Sequence, residues 1–278
     1  MSLKQIEAVR VFDKWALGIH LSPSGSVLVT GMNGEVVELD QSLAEVRRWQ
    51  AHDGAVNCLR VINGQVWTGG GDNLLKVWSG ERLEAQYEGP KKPVTSVFID
   101  GDDLVAQSYD RAAWVWSLSA PSQAPRKIKD VASLVQTDSG FYGSPKTGSK
   151  AGEIGPLAAF DLASGSFDSP LFEDGFGVWS LQDVPSKGLL AFGLDTKAYW
   201  VDPVAVTRSE LPWHSKSVAP HFRVLADGSE LYFGDGKIYH NGKAQDGPIK
   251  GLYCAVQLDD GRVAISGADG QVWVFEVD

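Results

Sequence analysis

Apolar positions along this chain fall in short runs separated by turns rich in Gly, Asp and Asn. The clearest stretch is His52 to Ser79, HDGAVNCLRVINGQVWTGGGDNLLKVWS. Val56 to Val61 predicts a first strand, largely apolar as an inner strand covered on both faces would be. Ile62-Asn63-Gly64 predicts a tight hairpin turn, and Gln65 to Gly69 a second strand. Gly70-Gly71-Asp72-Asn73 predicts the next turn, and Leu74 to Trp78 a third strand. Arg82 to Glu88 then alternates polar and apolar, which suits a half-exposed fourth strand.

The same pattern recurs along the chain, with its closing position at Leu39, Trp78, Trp116, Phe160, Val201, near His240 and at Phe275. Four short strands repeated about every 40 residues predict a β-propeller. The expected fold is all-β, a single seven-bladed β-propeller of four-stranded antiparallel blades, forming one domain over residues 1–278. The seventh copy ends after its third strand, while an alternating segment, Leu3 to Phe12, precedes the first copy. Pairing that N-terminal strand with the last blade closes the ring and removes two exposed sheet edges.

These copies resemble the WD-repeat family of propellers, whose units run from a Gly-His turn to a Trp-Asp end. In that family a turn His, a second-strand Ser or Thr, a turn Asp and the closing Trp form a hydrogen-bonded network. The second copy matches it at His52, Thr68, Asp72 and Trp78. No Trp here is followed by Asp; the copies end Trp78-Ser79, Trp116-Ser117, Leu39-Asp40, Phe160-Asp161 and Val201-Asp202. The sixth copy keeps His214 and Asp235 without the Trp. The resemblance implies a rigid, non-catalytic scaffold that binds other proteins or peptides, on the face built from fourth-to-first and second-to-third strand turns. Register within the repeat places Leu17, Met32, Asn57, Thr95, Tyr109 and Leu194 there, with Lys146, Lys150 and Trp213 at the rim.

Composition narrows the partners. A net charge of −10 over 278 residues disfavours nucleic acid, which wants a basic face, and disfavours an anionic membrane surface. Cys58 and Cys254 fall in first strands of different copies and read as small core residues, without a disulfide or a metal. The segment MSLKQIEAVRVF has no run apolar enough for a signal peptide, so a cytoplasmic protein is expected, monomeric alone or a subunit of a complex.

Candidate chemistry is sparse. His52 beside Asp72 has the makings of an acid–base pair, yet the repeat pattern assigns both to a buried structural network. His20, His214, His221 and His240 show no ligand spacing. Asp72, Asp110, Asp195, Asp235 and Asp269 recur once per blade, as expected of residues that cap tight turns. The stretch Tyr142 to Gly155, YGSPKTGSKAGEIG, predicts an unusually long loop between second and third strands, and its Gly148-Ser149-Lys150 reverses the order of a phosphate loop. Trp114, Tyr199, Tyr239 and Trp273 share a register and predict packing between blades. Trp213, read as a turn residue, is an interface-anchor candidate. No cofactor and no metal are expected. The alternatives are a small-ligand or sugar-binding propeller, and a metal-dependent propeller hydrolase or lactonase.

Overall fold

The computed structural model of the chain describes all residues except 1–2, 23, 149, 151–152, 185–186, 215–221, 235 and 278, and all side chains among them except those of residues 212–214 and 234. The residues His221 and Asp235, and the side chains of Trp213 and His214, therefore lie outside the described residues.

The chain forms seven four-stranded antiparallel sheets, the blades of a seven-bladed β-propeller. Blade one comprises Ala16–Leu21, Val27–Gly31, Glu35–Leu39 and Glu45–Gln50. Blade two comprises Val56–Ile62, Gln65–Gly70, Leu75–Ser79 and Arg82–Tyr87. Blade three comprises Val94–Asp100, Asp103–Ser108, Ala112–Ser117 and Arg126–Lys129. Blade four comprises Val131–Thr137, Gly140–Pro145, Ala158–Asp161 and Ser166–Pro170. Blade five comprises Val178–Val184, Gly188–Gly193, Lys197–Asp202 and Thr207–His214. Blade six comprises Phe222–Val224, Glu230–Gly234, Lys237–His240 and Lys243–Asp246. Blade seven takes Leu252–Gln257, Val263–Gly267 and Gln271–Val277, and its fourth strand is Leu3–Arg10. That strand runs antiparallel along the blade's third strand, from Leu3 opposite Val277 to Arg10 opposite Gln271. Each predicted closing residue ends or nearly ends a third strand.

Local chemistry explains the turns. Asn63 and Gly64 both have positive φ, 52° and 77°, the type I′ geometry whose twist matches a two-residue hairpin. Two expectations need correction. The strand buried on both faces is the second, as in Val27–Gly31, where all five residues are buried. The first strand is a sheet edge and stays partly exposed, with Asn57 and Arg60 open in blade two. The loop of blade four begins only at Lys146, because Tyr142 to Pro145 belong to the second strand.

Two compact units are resolved, residues 1–97, 108–110 and 221–278 in one, and 98–107 and 111–220 in the other. In each the core lies between neighbouring blades. The first unit packs Val29 and Val37 of blade one with Cys254, Val256 and Val274 of blade seven. It packs Leu28 and Trp49 of blade one with Val56, Leu59 and Trp78 of blade two. The second unit packs Val135 and Tyr142 of blade four with Val178, Leu189 and Ala191 of blade five. Cys58 and Cys254 form no disulfide with each other, and burial of the Cys58 thiol pushes its pKa up to about 12, as expected of an unreactive thiol.

Candidate functional site

His52, Thr68, Asp72 and Trp78 meet in blade two. Trp78 Nε1–H donates to Thr68 Oγ1 at 2.8 Å. Thr68 Oγ1 lies 2.8 Å from His52 Nε2, and His52 Nδ1 lies 2.8 Å from Asp72 Oδ1. An indole can only donate and a carboxylate can only accept, so the direction is set at both ends. Nδ1 therefore donates to Asp72, while Nε2 faces the Thr68 hydroxyl and, at 3.2 Å, the Thr68 backbone carbonyl. Asp72 also accepts from the backbone N–H groups of Asp53 and Leu74, each at 3.2 Å. Burial alone would raise the Asp72 pKa, but the hydrogen bonds from His52, Asp53 and Leu74 outweigh it and bring it to about 2. His52 and Thr68 are buried, and both ring nitrogens of His52, the Thr68 hydroxyl and the Trp78 indole N–H are hydrogen-bonded within the quartet. The arrangement pins the turn before the blade to the turn between its second and third strands.

The other blades show how this network is lost. A glycine ends the second strand in blades one, two, five and seven, and a Cβ there would collide with the residue in the His52 position. That residue is Phe12 beside Gly31, His52 beside Gly70, Phe176 beside Gly193 and Ile249 beside Gly267. Where the His is replaced, the Thr68 and Trp78 positions become apolar too: Val29 and Leu39, Ala191 and Val201, Ile265 and Phe275, all buried. A buried polar network is favourable only when complete, and blades one, five and seven replace its His, Thr and Trp together. The turn acid persists in its simpler role. Asn33, Asp72, Asp195 and Asp269 each accept the backbone N–H two residues on. Sequence reading singled out the acids but missed the Gly-x-Asp/Asn spacing that marks each of these turns.

The residue at the centre of this turn makes a recurring backbone bond. The backbone N–H groups of Met32, Gly71, Tyr109, Lys146, Leu194 and Ala268 bond the carbonyls of Trp15, Ala55, Pro93, Asp130, Gly177 and Gly251 respectively. Each bond ties the second-to-third strand turn to the residue two before a first-strand position: Leu17, Asn57, Thr95, Ala132, Trp179 or Tyr253. In blades one, two, four, five and seven the strand pairing slips by one residue there, a bulge that re-aims the side chain. Met32, Tyr109 and Leu194 are 44%, 64% and 37% exposed. Leu17 and Thr95 are half-buried and Asn57 is exposed. Trp15 was not anticipated; it is 45% exposed, with its ring 5.9 Å from that of Tyr253.

Lys146 and Lys150 lie on a loop that folds back on itself. Lys146 bridges Ile154, and Gly155 N–H bonds the Pro145 carbonyl at 2.7 Å. Glu153 accepts the Lys150 backbone N–H at 2.7 Å. Trp213 belongs to the strand Thr207–His214 and not to a turn, because pairing with the third strand continues to Lys197 opposite His214. The aromatics of shared register divide. Tyr199 joins the core between blades four and five, whereas Tyr239 stacks within its own blade on Tyr232 at 4.5 Å. Lys127 lies over Trp114 of the same blade at 4.7 Å.

Among the described residues no group of three or more His, Cys, Asp or Glu could hold a metal ion, and no helix is long and apolar enough to cross a membrane. The family model described as "WD domain, G-beta repeat" matches residues 43–79. F-box/WD repeat-containing protein 4 of Mus musculus is 26% identical over 227 residues, 77% of this chain and 54% of that protein. Its Homo sapiens counterpart is 26% identical over 194 residues, 65% of this chain and 46% of that protein. A segment of 88 residues, 30% of this chain, is 35% identical to 5% of "Putative E3 ubiquitin-protein ligase LIN" of Medicago truncatula. The chain spans about half the length of the two F-box/WD relatives it matches.

Proposed function

We propose, from the premise that this chain belongs to the WD-repeat family of β-propellers, that it is a non-catalytic scaffold binding protein partners through its second-to-third strand turns and first-strand bulges. The observation that carries this reading is the shared position of Met32, Tyr109 and Leu194. Six blades make the same backbone bond at that turn, and in three of them it carries an exposed large apolar side chain. Exposed apolar groups at one recurring position, next to polar neighbours, suit a recognition surface. Within the first unit Trp15, Leu17, Met32 and Tyr253 gather around one such turn, and aromatic anchors of this kind dominate interface energies.

The test uses the full chain carrying Met32→Glu and Tyr109→Ala, beside a control carrying Val46→Glu and Leu83→Glu on outer strands that are also exposed. Partners recovered with the unaltered protein should be lost from the first variant and kept by the control. The opposite pattern would move the interface to the blade edges and overturn this assignment.

A further inference from the structure

Arg208, on the outer strand of blade five, is held by three aromatic rings and a carboxylate. Its guanidinium carbon lies 4.9 Å from the ring centre of Phe172, 4.5 Å from Phe176 and 5.6 Å from Tyr199. Phe176 is edge-on to both of the others, with interplanar angles of 82° to Phe172 and 75° to Tyr199. Asp174 completes the set with a bidentate pair to Arg208 Nη1 and Nη2. Three ring faces and a fork-matched carboxylate converging on one planar cation form an aromatic cage.

The cage is built by the two loops around it. The long loop of blade four ends in Pro156, which bridges Gly177. Leu157 N–H bonds the Phe176 carbonyl at 2.7 Å, and Leu171 N–H bonds the Leu157 carbonyl at 2.9 Å. These bonds fix both ends of the Phe172–Phe176 segment, so the rings are set by backbone and not by the cation alone. The cage also reaches solvent: the Asp174 side chain is 57% exposed and that of Arg208 26%. Glu173, Asp174 and Asp195 are all exposed around it, and the nearby Lys197 is paired with Glu210 at 2.7 Å. Blade one has only a reduced version, with Arg48 over the single ring of Phe12 at 5.5 Å and two carboxylates, Glu35 and Glu45, satisfying it.

We propose that the Phe172–Phe176–Tyr199–Asp174 cage is a receptor for an arginine side chain of a protein partner, and that Arg208 occupies it as an internal stand-in until displaced. The proposal rests on the interaction reading above and adds the chemistry of one contact. A guanidinium fits because its flat face stacks on rings while its edge meets the carboxylate in two parallel hydrogen bonds; a lysine ammonium offers neither. Displacement exchanges like for like, so the partner's arginine gains access without leaving Asp174 unpaired.

The test needs no identified partner. Arg208→Ala and Arg208→Lys are titrated with N-acetyl-arginine-amide and N-acetyl-lysine-amide by calorimetry and intrinsic fluorescence, with the unaltered protein and Arg48→Ala as controls. Saturable binding of the arginine probe is expected in Arg208→Ala, weaker by about tenfold or more in the unaltered protein and in Arg48→Ala. Adding the exposed change Asp174→Asn to Arg208→Ala should lower that affinity about tenfold. Absence of saturable binding in folded Arg208→Ala, or equal binding of the lysine probe, overturns the proposal. Arg208→Lys keeps the charge and stem but lacks the fork; if both variants fail to fold, the cation is a structural clamp and the proposal is equally overturned. None of these outcomes touches the Met32 and Tyr109 test, so the two readings fail separately.

Discussion

At the scale of single residues, the blade-two network makes sharp claims because its members bond one another through named side-chain atoms. Thr68→Val removes the hydroxyl shared by His52 and Trp78. It should cost about 1–3 kcal/mol for each buried group it strands, read from urea unfolding. Adding His52→Phe, the side chain that blade one uses at that position, should recover part of the loss, since removing both partners is cheaper than removing one. Strict additivity of the two changes would show that the network is not coupled. Asp72 supplies a pH signature. Its folded pKa, about 2, lies below the unfolded carboxylate value of about 3.9. Its contribution is therefore fully present above pH 4 or so and fades as pH falls toward about 2. Asp72→Ala should lose stability at neutral pH and show a flatter acid limb in thermal melts.

At the scale of the element, two strands decide most. The N-terminal strand Leu3–Arg10 is the fourth strand of the last blade, so its removal uncovers the edge of Gln271–Val277 and strips Leu3, Val11 and Phe12 from the core. Deleting residues 1–12 should give aggregation on size exclusion and a large drop in melting temperature, because open sheet edges pair with other chains. A deletion variant that stays monomeric with unchanged melting would show that the edge is dispensable. The third strand of blade six ends on His240, where every other blade carries an apolar residue. His240 is buried, and neither ring nitrogen has a hydrogen-bond partner. Burial lowers its pKa, opposed by the nearby Asp227 carboxylate. A depressed histidine contributes stability that is whole above about pH 6.5 and lost as pH falls below it. His240→Leu should remove that mid-acid loss and stabilise the protein by about 1 kcal/mol at neutral pH. A variant less stable than the parent at pH 7 would show that the imidazole has a use the packing does not reveal.

At the scale of the whole molecule, the expected interface combines anchors with steering charge. Tyr109→Ala should weaken partner binding by about 1–3 kcal/mol with melting unchanged, as truncation of an exposed aromatic anchor does. Tyr109 is 64% exposed, so its loss leaves little cavity. Charge reversal at Lys146 and Lys150 should chiefly slow association and lose its effect in high salt. Unchanged rates would show that these two lysines do not steer the encounter.

The period of the apolar runs determined the seven blades, their four strands and the pairing of Leu3–Arg10 with the last of them, because strand length and turn chemistry are local properties that repetition makes unmistakable. The quartet His52, Thr68, Asp72 and Trp78 was readable for the same reason, as was the recurrence of the turn acids. Tertiary structure decided what depends on partners distant in sequence. Which strand is buried on both faces follows from sheet order, and so fell to the second strand and not the first. Trp15 meets Tyr253 across 238 residues by subtraction, and no spacing announces such a contact. The Phe172–Phe176 segment reads as an ordinary connection until the loop of blade four fixes its backbone and an outer-strand arginine enters between its rings. Periodicity reports which residues are apolar, whereas convergence from separate loops exists only once the backbone has folded them together.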